Sequence, residues 1–160
     1  MTRTKKTTAP AKTKEIGLGF ITELDRYLFG QGTHYKIFEK LGAHPKTYKG
    51  KAGMYFAVWA PHAKAVGVVG DFNGWDKAAA PMEKLEGGVW AIFMKGLCEG
   101  QKYKYCVDGA DGRQVLKADP FAAFSEWGEQ TASIIWNGGS FHWRDKNYLD
   151  RRAKTDFMRS

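Results

Sequence analysis

Two indoles stand where an indole does little for a core. Trp75 follows Asn73-Gly74 in a tight, polar turn, and Trp127 sits in the loop Ser125-Glu126-Trp127-Gly128-Glu129. The chemistry open to such residues is stacking. A hexose ring has an apolar C–H face and a rim of hydroxyls, so an aromatic face and nearby polar side chains hold it. Lys104 could supply one rim contact. In Lys102-Tyr103-Lys104-Tyr105-Cys106-Val107 a period of two puts both lysines on one face and Tyr103, Tyr105 and Val107 on the other, which should be the core. Asn73 offers a turn amide, and Thr131 and Ser133 offer two hydroxyls on one face of a later strand. Each residue also has a plainer reading. Trp75 can fold back as a lid on the core, Lys104 can be merely solvated, and Trp127 can anchor a neighbouring domain. Trp59 and Trp90 lie inside alternating runs and read as core.

Other chemistries find no footing. No His, Cys, Asp or Glu group has metal-ligand spacing. There is no P-loop, dinucleotide fingerprint or nucleophile elbow. His34, His44, His62 and His142 fall in four different segments and read as surface or capping residues. Nothing marks a carboxylate pair of the kind that flanks a glycosidic bond. The sequence therefore predicts binding without catalysis, metal or cofactor.

Charge sharpens the choice of ligand. The chain has 160 residues and a net charge of +8. Residues 1–14 carry Arg3, Lys5, Lys6, Lys12 and Lys14 and no acid, and residues 141–160 carry six basic and three acidic residues. The stretch between them, 15–140, has 14 of each sign. A neutral body argues for an uncharged ligand and against nucleic acid. No apolar run approaches the ~18 residues of a membrane span, and no secretory h-region follows Met1. The expectation is a soluble cytoplasmic protein with Cys98 and Cys106 as thiols. The Thr/Lys-rich start over 1–15 reads as a disordered basic tail, or as part of a transit peptide.

The elements that must position these residues follow from periodicity. Two short N-terminal helices are predicted within 16–48. Thr22 caps the first with Asp25 three residues on, Ile21, Leu24 and Leu28 recur at helical spacing, and Gly30 ends it. Thr33 caps the second, with Ile37, Phe38 and Leu41 as its stripe. From Gly53 the period becomes two. Runs at Met54–Trp59, Val66–Val68, Met82–Leu85, Val89–Met94, Lys102–Asp108, Gln114–Lys117 and Thr131–Trp136 are separated by Gly-rich turns. Seven or so short strands over 49–138 argue for an all-β sandwich. The charged stretch 139–160 reads as a linker.

These residues also resemble a known family. Gly53-Met54-Tyr55-Phe56-Ala57-Val58-Trp59-Ala60-Pro61 and Val68-Val69-Gly70-Asp71-Phe72-Asn73-Gly74-Trp75 are similar to the opening of a family 48 carbohydrate-binding module. Tyr103-Lys104-Tyr105, Lys117-Ala118-Asp119-Pro120 and Thr131-Ala132-Ser133 continue the likeness. Tyr27-Leu28-Phe29-Gly30-Gln31-Gly32-Thr33-His34-Tyr35 and Lys40-Leu41-Gly42-Ala43-His44 resemble the 1,4-α-glucan branching enzymes in particular. The resemblance implies an immunoglobulin-like (early-set) sandwich that binds α-1,4-glucan such as glycogen, starch or malto-oligosaccharides. It implies a catalytic (β/α)₈ barrel of roughly 250 residues beyond the 139–160 linker, as partner and seat of the chemistry. It also implies that Trp75, Lys104, Trp127, Thr131 and Ser133 touch sugar, with Ser133 in place of a larger amide. The tightest-binding relatives carry a second Trp after the Asp-Gly turn, where this chain has Ala110, Asp111, Gly112 and Arg113. Half of that aromatic cradle is missing, so binding here should be weak. The alternative is a structural domain docked on the barrel with a vestigial sugar site.

Overall fold

A computed structural model describes residues 19–138 and 142–155. The tail expected over 1–15 lies outside the described residues. The first helix, α1 (Glu23–Gly30), begins as the sequence predicts. Thr22 Oγ1 accepts from the Asp25 amide at 3.1 Å, and Asp25 Oδ2 accepts from the Thr22 amide at 2.8 Å. This reciprocal cap satisfies two helix-end donors.

The second predicted helix is corrected to a single 3-10 turn, Ile37–Glu39. Thr33 does not cap it. The Thr33 amide and hydroxyl both bond the Leu28 carbonyl and close the end of α1 instead. Leu41 is fully buried, whereas Phe38 is exposed, so no helical stripe forms. The helical segment expected to reach residue 48 also ends earlier, because Gly42–Tyr48 is a strand, β1. Pro45 hid it from sequence reading. An edge strand uses only one of its two rows of backbone groups, so a proline is tolerated there.

The remaining strands are β2 (Lys51–Trp59), β3 (Ala65–Gly70), β4 (Glu83–Lys84), β5 (Val89–Lys95), β6 (Lys102–Asp108), β7 (Gln114–Lys117), β8 (Phe124–Ser125) and β9 (Ser133–Ile134). They form two antiparallel sheets. One has the order β1-β2-β5-β4, and the other β3-β6-β9-β8 with β7 also paired to β6.

Alternation decides what each face buries. Met54, Phe56 and Val58 from β2 meet Trp90, Val66, Val68, Tyr103 and Tyr105 between the sheets. The other face of β2 and β5, with Tyr55, Ala57, Val89 and Ala91, packs on Ile21, Leu41 and Phe20 from the N-terminal segment. β2 is thus buried on both sides, which explains its unbroken apolar run. The predicted β6 faces are as drawn: Tyr103 and Tyr105 are fully buried and Lys102 is exposed. Trp90 is core, but Trp59 is not. It is 50% exposed, donating its indole N–H to the Gly87 carbonyl at 3.0 Å. Residues 146–154, predicted as linker, form a short helix, α2 (Lys146–Lys154).

Among the described residues no helix is long and apolar enough to cross a membrane, and no group of three or more His, Cys, Asp or Glu gathers as if for a metal. Cys98 and Cys106 are free thiols, one exposed and one buried.

Candidate functional site

The turn after β3 is built to hold Trp75 in an unusual backbone state. Gly74 and Trp75 both have positive φ, +62° and +61°. For a bulky side chain this left-handed region costs about 1–2 kcal/mol. Hydrogen bonds around the turn offset it. The Trp75 amide donates to the Gly70 carbonyl at 3.0 Å. Asn73 Oδ1 accepts from the Gly70 amide at 2.9 Å, and Asn73 Nδ2 donates to the Val68 carbonyl at 2.9 Å. The predicted rim amide is therefore occupied in shaping the loop. Gly70 is required by close approach, since an added Cβ would lie 2.3 Å from the Lys102 carbonyl oxygen.

Asp71 links the turn to β6. Its Oδ1 accepts from Trp75 Nε1 at 3.2 Å, and its Oδ2 accepts from the Lys102 amide at 2.9 Å. The Trp75 indole is half-buried, neither a fully covered lid nor a free ring.

Two residues along β6, Lys104 shares the outward face with Lys102 and donates to Thr131 Oγ1 at 2.9 Å. The Lys102 ammonium pairs with Glu126 Oε1. Glu126 in turn accepts from the Ala132 amide at 3.1 Å through Oε2. Hydrogen bonding by Lys102 holds the Glu126 carboxyl below the usual range. Trp127, the next residue, is 98% exposed. The structure therefore gathers Trp75, Lys104, Thr131 and the Trp127 loop around the start of β6.

Ser133 leaves this set. It is fully buried, and its Oγ accepts from the Asp119 amide at 2.8 Å. The sequence put it on one face with Thr131, but Thr131 precedes the short β9 and the alternation does not extend to it. Ser133 belongs to a buried polar network between the sheets. Asp119 Oδ2 accepts from the Tyr103 hydroxyl at 2.6 Å and the Tyr105 hydroxyl at 3.1 Å, and its Oδ1 from the Phe121 amide at 2.8 Å. Burial pushes the Asp119 carboxyl up, and these hydrogen bonds oppose the rise only in part.

Sequence reasoning missed Asp71, Lys102 and Glu126 as parts of the site. The signal for Asp71 was present: a carboxylate four residues before Trp75 within one tight turn can reach back to the indole. Cavities of about 440, 480 and 520 Å³ lie elsewhere, beside Tyr48 and Phe93, Phe29 and Trp59, and Phe38 and Trp136. None is lined by Trp75, Lys104 or Trp127.

Comparison with known proteins gives the family. The family model described as "Carbohydrate-binding module 48 (Isoamylase N-terminal domain)" matches residues 40–122. The 1,4-alpha-glucan branching enzyme GlgB of Butyrivibrio fibrisolvens is 47% identical over 141 residues, 88% of this chain and 22% of that relative. GlgB of Rhodospirillum rubrum is 48% identical over 133 residues, 82% of this chain and 18% of the relative. The chain thus spans about a fifth of the length of these curated relatives. Among solved structures, the multi-modular glycogen-degrading pneumococcal virulence factor SpuA aligns with a TM-score of 0.53 at 26% identity, over 66% of this chain and 13% of that one. A putative alpha amylase from Salmonella typhimurium shares the fold, with a TM-score of 0.51 at 22% identity over 68% of this chain and 16% of that one. The match takes in β1 to β7 and the Trp75 turn, more than half of the chain, and the chain belongs to the carbohydrate-binding module 48 family.

Proposed function

We propose that the chain binds α-1,4-glucan on the outer face of the β3-β6-β9 sheet, as the glucan-binding module of a 1,4-α-glucan branching enzyme. The observation that carries this reading is the Trp75 turn, in which a bulky indole is held in a strained backbone state beside the lysine-bearing strand. Strain of this kind persists where the surroundings enforce it, and it clusters at ligand sites. Trp75 supplies the stacking face, Lys104 and Thr131 bond sugar hydroxyls, and Trp127 offers a second face. Family membership and the branching-enzyme relatives support α-glucan as the ligand. Catalysis, on this reading, belongs to the remainder of the longer protein.

Two antiparallel sheets packed over one core support an immunoglobulin-like classification of the sandwich. A cytoplasmic setting belongs to the same reading, and two free thiols support it. Affinity electrophoresis tests the function. Mobility of the 160-residue chain should fall in a gel cast with amylose and not in one cast with dextran. Equal mobility in both gels would contradict glucan binding.

A second reading, docking onto a catalytic barrel, has its own support. Phe124 and Trp136 lie with ring centroids 5.5 Å apart and are both about half exposed, beside an exposed Phe38. Phe124 is in register with Ile134 and Lys102, so the two groups adjoin on the outer face of one sheet.

A further inference from the structure

We infer that Asp71 and Glu126 are the positioning residues of the glucan site, Asp71 holding the Trp75 indole and Glu126 the backbone of the loop that carries Trp127, through a shared contact, Lys102. The inference rests on the proposed sugar site and goes beyond it, since neither carboxylate need touch sugar. It follows from how the hydrogen bonds are distributed. Asp71 uses one oxygen on the Trp75 indole and the other on the Lys102 amide. Glu126 uses one oxygen on the Lys102 ammonium and the other on the Ala132 amide, while its own amide bonds the Ala132 carbonyl at 3.0 Å. One residue at the start of β6 thus holds the Trp75 turn by its backbone and the Trp127 loop by its side chain.

The division of labour between the lysines follows. The Lys102 ammonium is engaged by Glu126, and Lys104 is the one that meets Thr131. Lys102 is a strut and Lys104 faces the ligand.

Pre-organisation of this kind raises affinity by removing ordering that binding would otherwise require. A mobile indole must be immobilised when a sugar stacks on it. An indole already held by Asp71 need not be. The carboxylate form is needed at Asp71, because both of its partners are N–H donors. An asparagine presents one oxygen and one NH₂ group, and the NH₂ would face an N–H.

The test is a double-mutant cycle read by calorimetric titration of the full 160-residue chain with maltoheptaose. Asp71→Asn should lower affinity about tenfold, the size of one hydrogen bond's contribution. In a Trp75→Phe background, where no indole N–H remains, Asp71→Asn should lower it by less than about twofold. Glu126→Gln should weaken binding in the native background and have little effect in Trp127→Ala. The indole ¹⁵N–¹H resonance of Trp75 should move in ligand-free Asp71→Asn, with the thermal midpoint shifted by no more than a few degrees. Equal losses in the native and Trp75→Phe backgrounds would overturn the inference and leave the sugar site standing. So would native affinity in Asp71→Asn when Trp75→Ala abolishes binding. A native chain with no isotherm would remove the sugar site itself.

Discussion

The Lys104 ammonium donates to the Thr131 hydroxyl at 2.9 Å, joining the middle of β6 to the segment that leads into β9. The contact leaves two of the three ammonium protons and the Thr131 hydroxyl hydrogen for other acceptors. A sugar hydroxyl can both accept from Lys104 and receive from Thr131. Lys104→Met should therefore weaken maltoheptaose binding about tenfold or more, as loss of a charge-assisted hydrogen bond does. Thr131→Val should weaken it less. Titration calorimetry measures both, and an unchanged Lys104→Met isotherm would remove the lysine from the site.

Trp127 has almost no contact to lose, so its effect on stability and on binding should separate. Trp127→Ala should leave unfolding free energy within about 0.5 kcal/mol of the native chain. If the ring is a second platform, the same substitution lowers affinity several-fold. Urea denaturation and titration of one protein sample give both numbers. A large fall in stability would show that the indole covers the fold rather than the ligand.

Asp119 should behave in the opposite way. Asp119→Ala leaves the buried Tyr103 and Tyr105 hydroxyls and the Phe121 amide without their acceptor. An unsatisfied buried polar group costs about 1–3 kcal/mol, so the substitution should destabilise the chain by about 3 kcal/mol or more. Tyr103→Phe, which removes only one donor, should cost about 1 kcal/mol. Denaturant unfolding distinguishes them, and equal effects would show that Asp119 does not organise the network.

Asp25 sets an acid limit on the N-terminal segment. Burial disfavours its charge, but hydrogen bonds from His34 at 2.9 Å, from Thr22 and from Lys40 outweigh burial and hold the carboxyl well below the usual range. The folded chain therefore binds fewer protons at this site than the unfolded chain, whose Asp titrates near 4. The stabilisation is complete above about pH 5 and is lost as pH falls through and below the unfolded value. Asp25→Asn should lower the thermal midpoint at about pH 6 by more than it does at about pH 3. A gap that widens on acidification would contradict the sign.

What the sequence made legible was what depends on local period. The β6 faces, the Thr22–Asp25 cap and the turn at Trp75 follow from neighbours within a few residues. Pro45 masked β1, because a strand's edge position is a property of the assembled sheet. Ser133 misled because its partner, Asp119, comes from another segment, and only the closed sandwich shows the pair to be interior. Trp59 lies on the face of β2 that the N-terminal segment covers, at the margin of that cover, and no period encodes where cover stops. Asp71 reaches Trp75 within one turn, but its bond to Lys102 and that of Glu126 to the same residue join segments far apart in the chain and came into view only once β6 stood between them.

Calorimetric titration of the native chain and of Trp75→Ala with maltoheptaose, at low and high salt, decides whether this indole receives the sugar. The native chain should bind weakly and nearly independently of salt, because the ligand is uncharged, and the variant should not bind. A variant isotherm matching the native one would contradict sugar stacking on Trp75, as would a native isotherm that collapses at high salt.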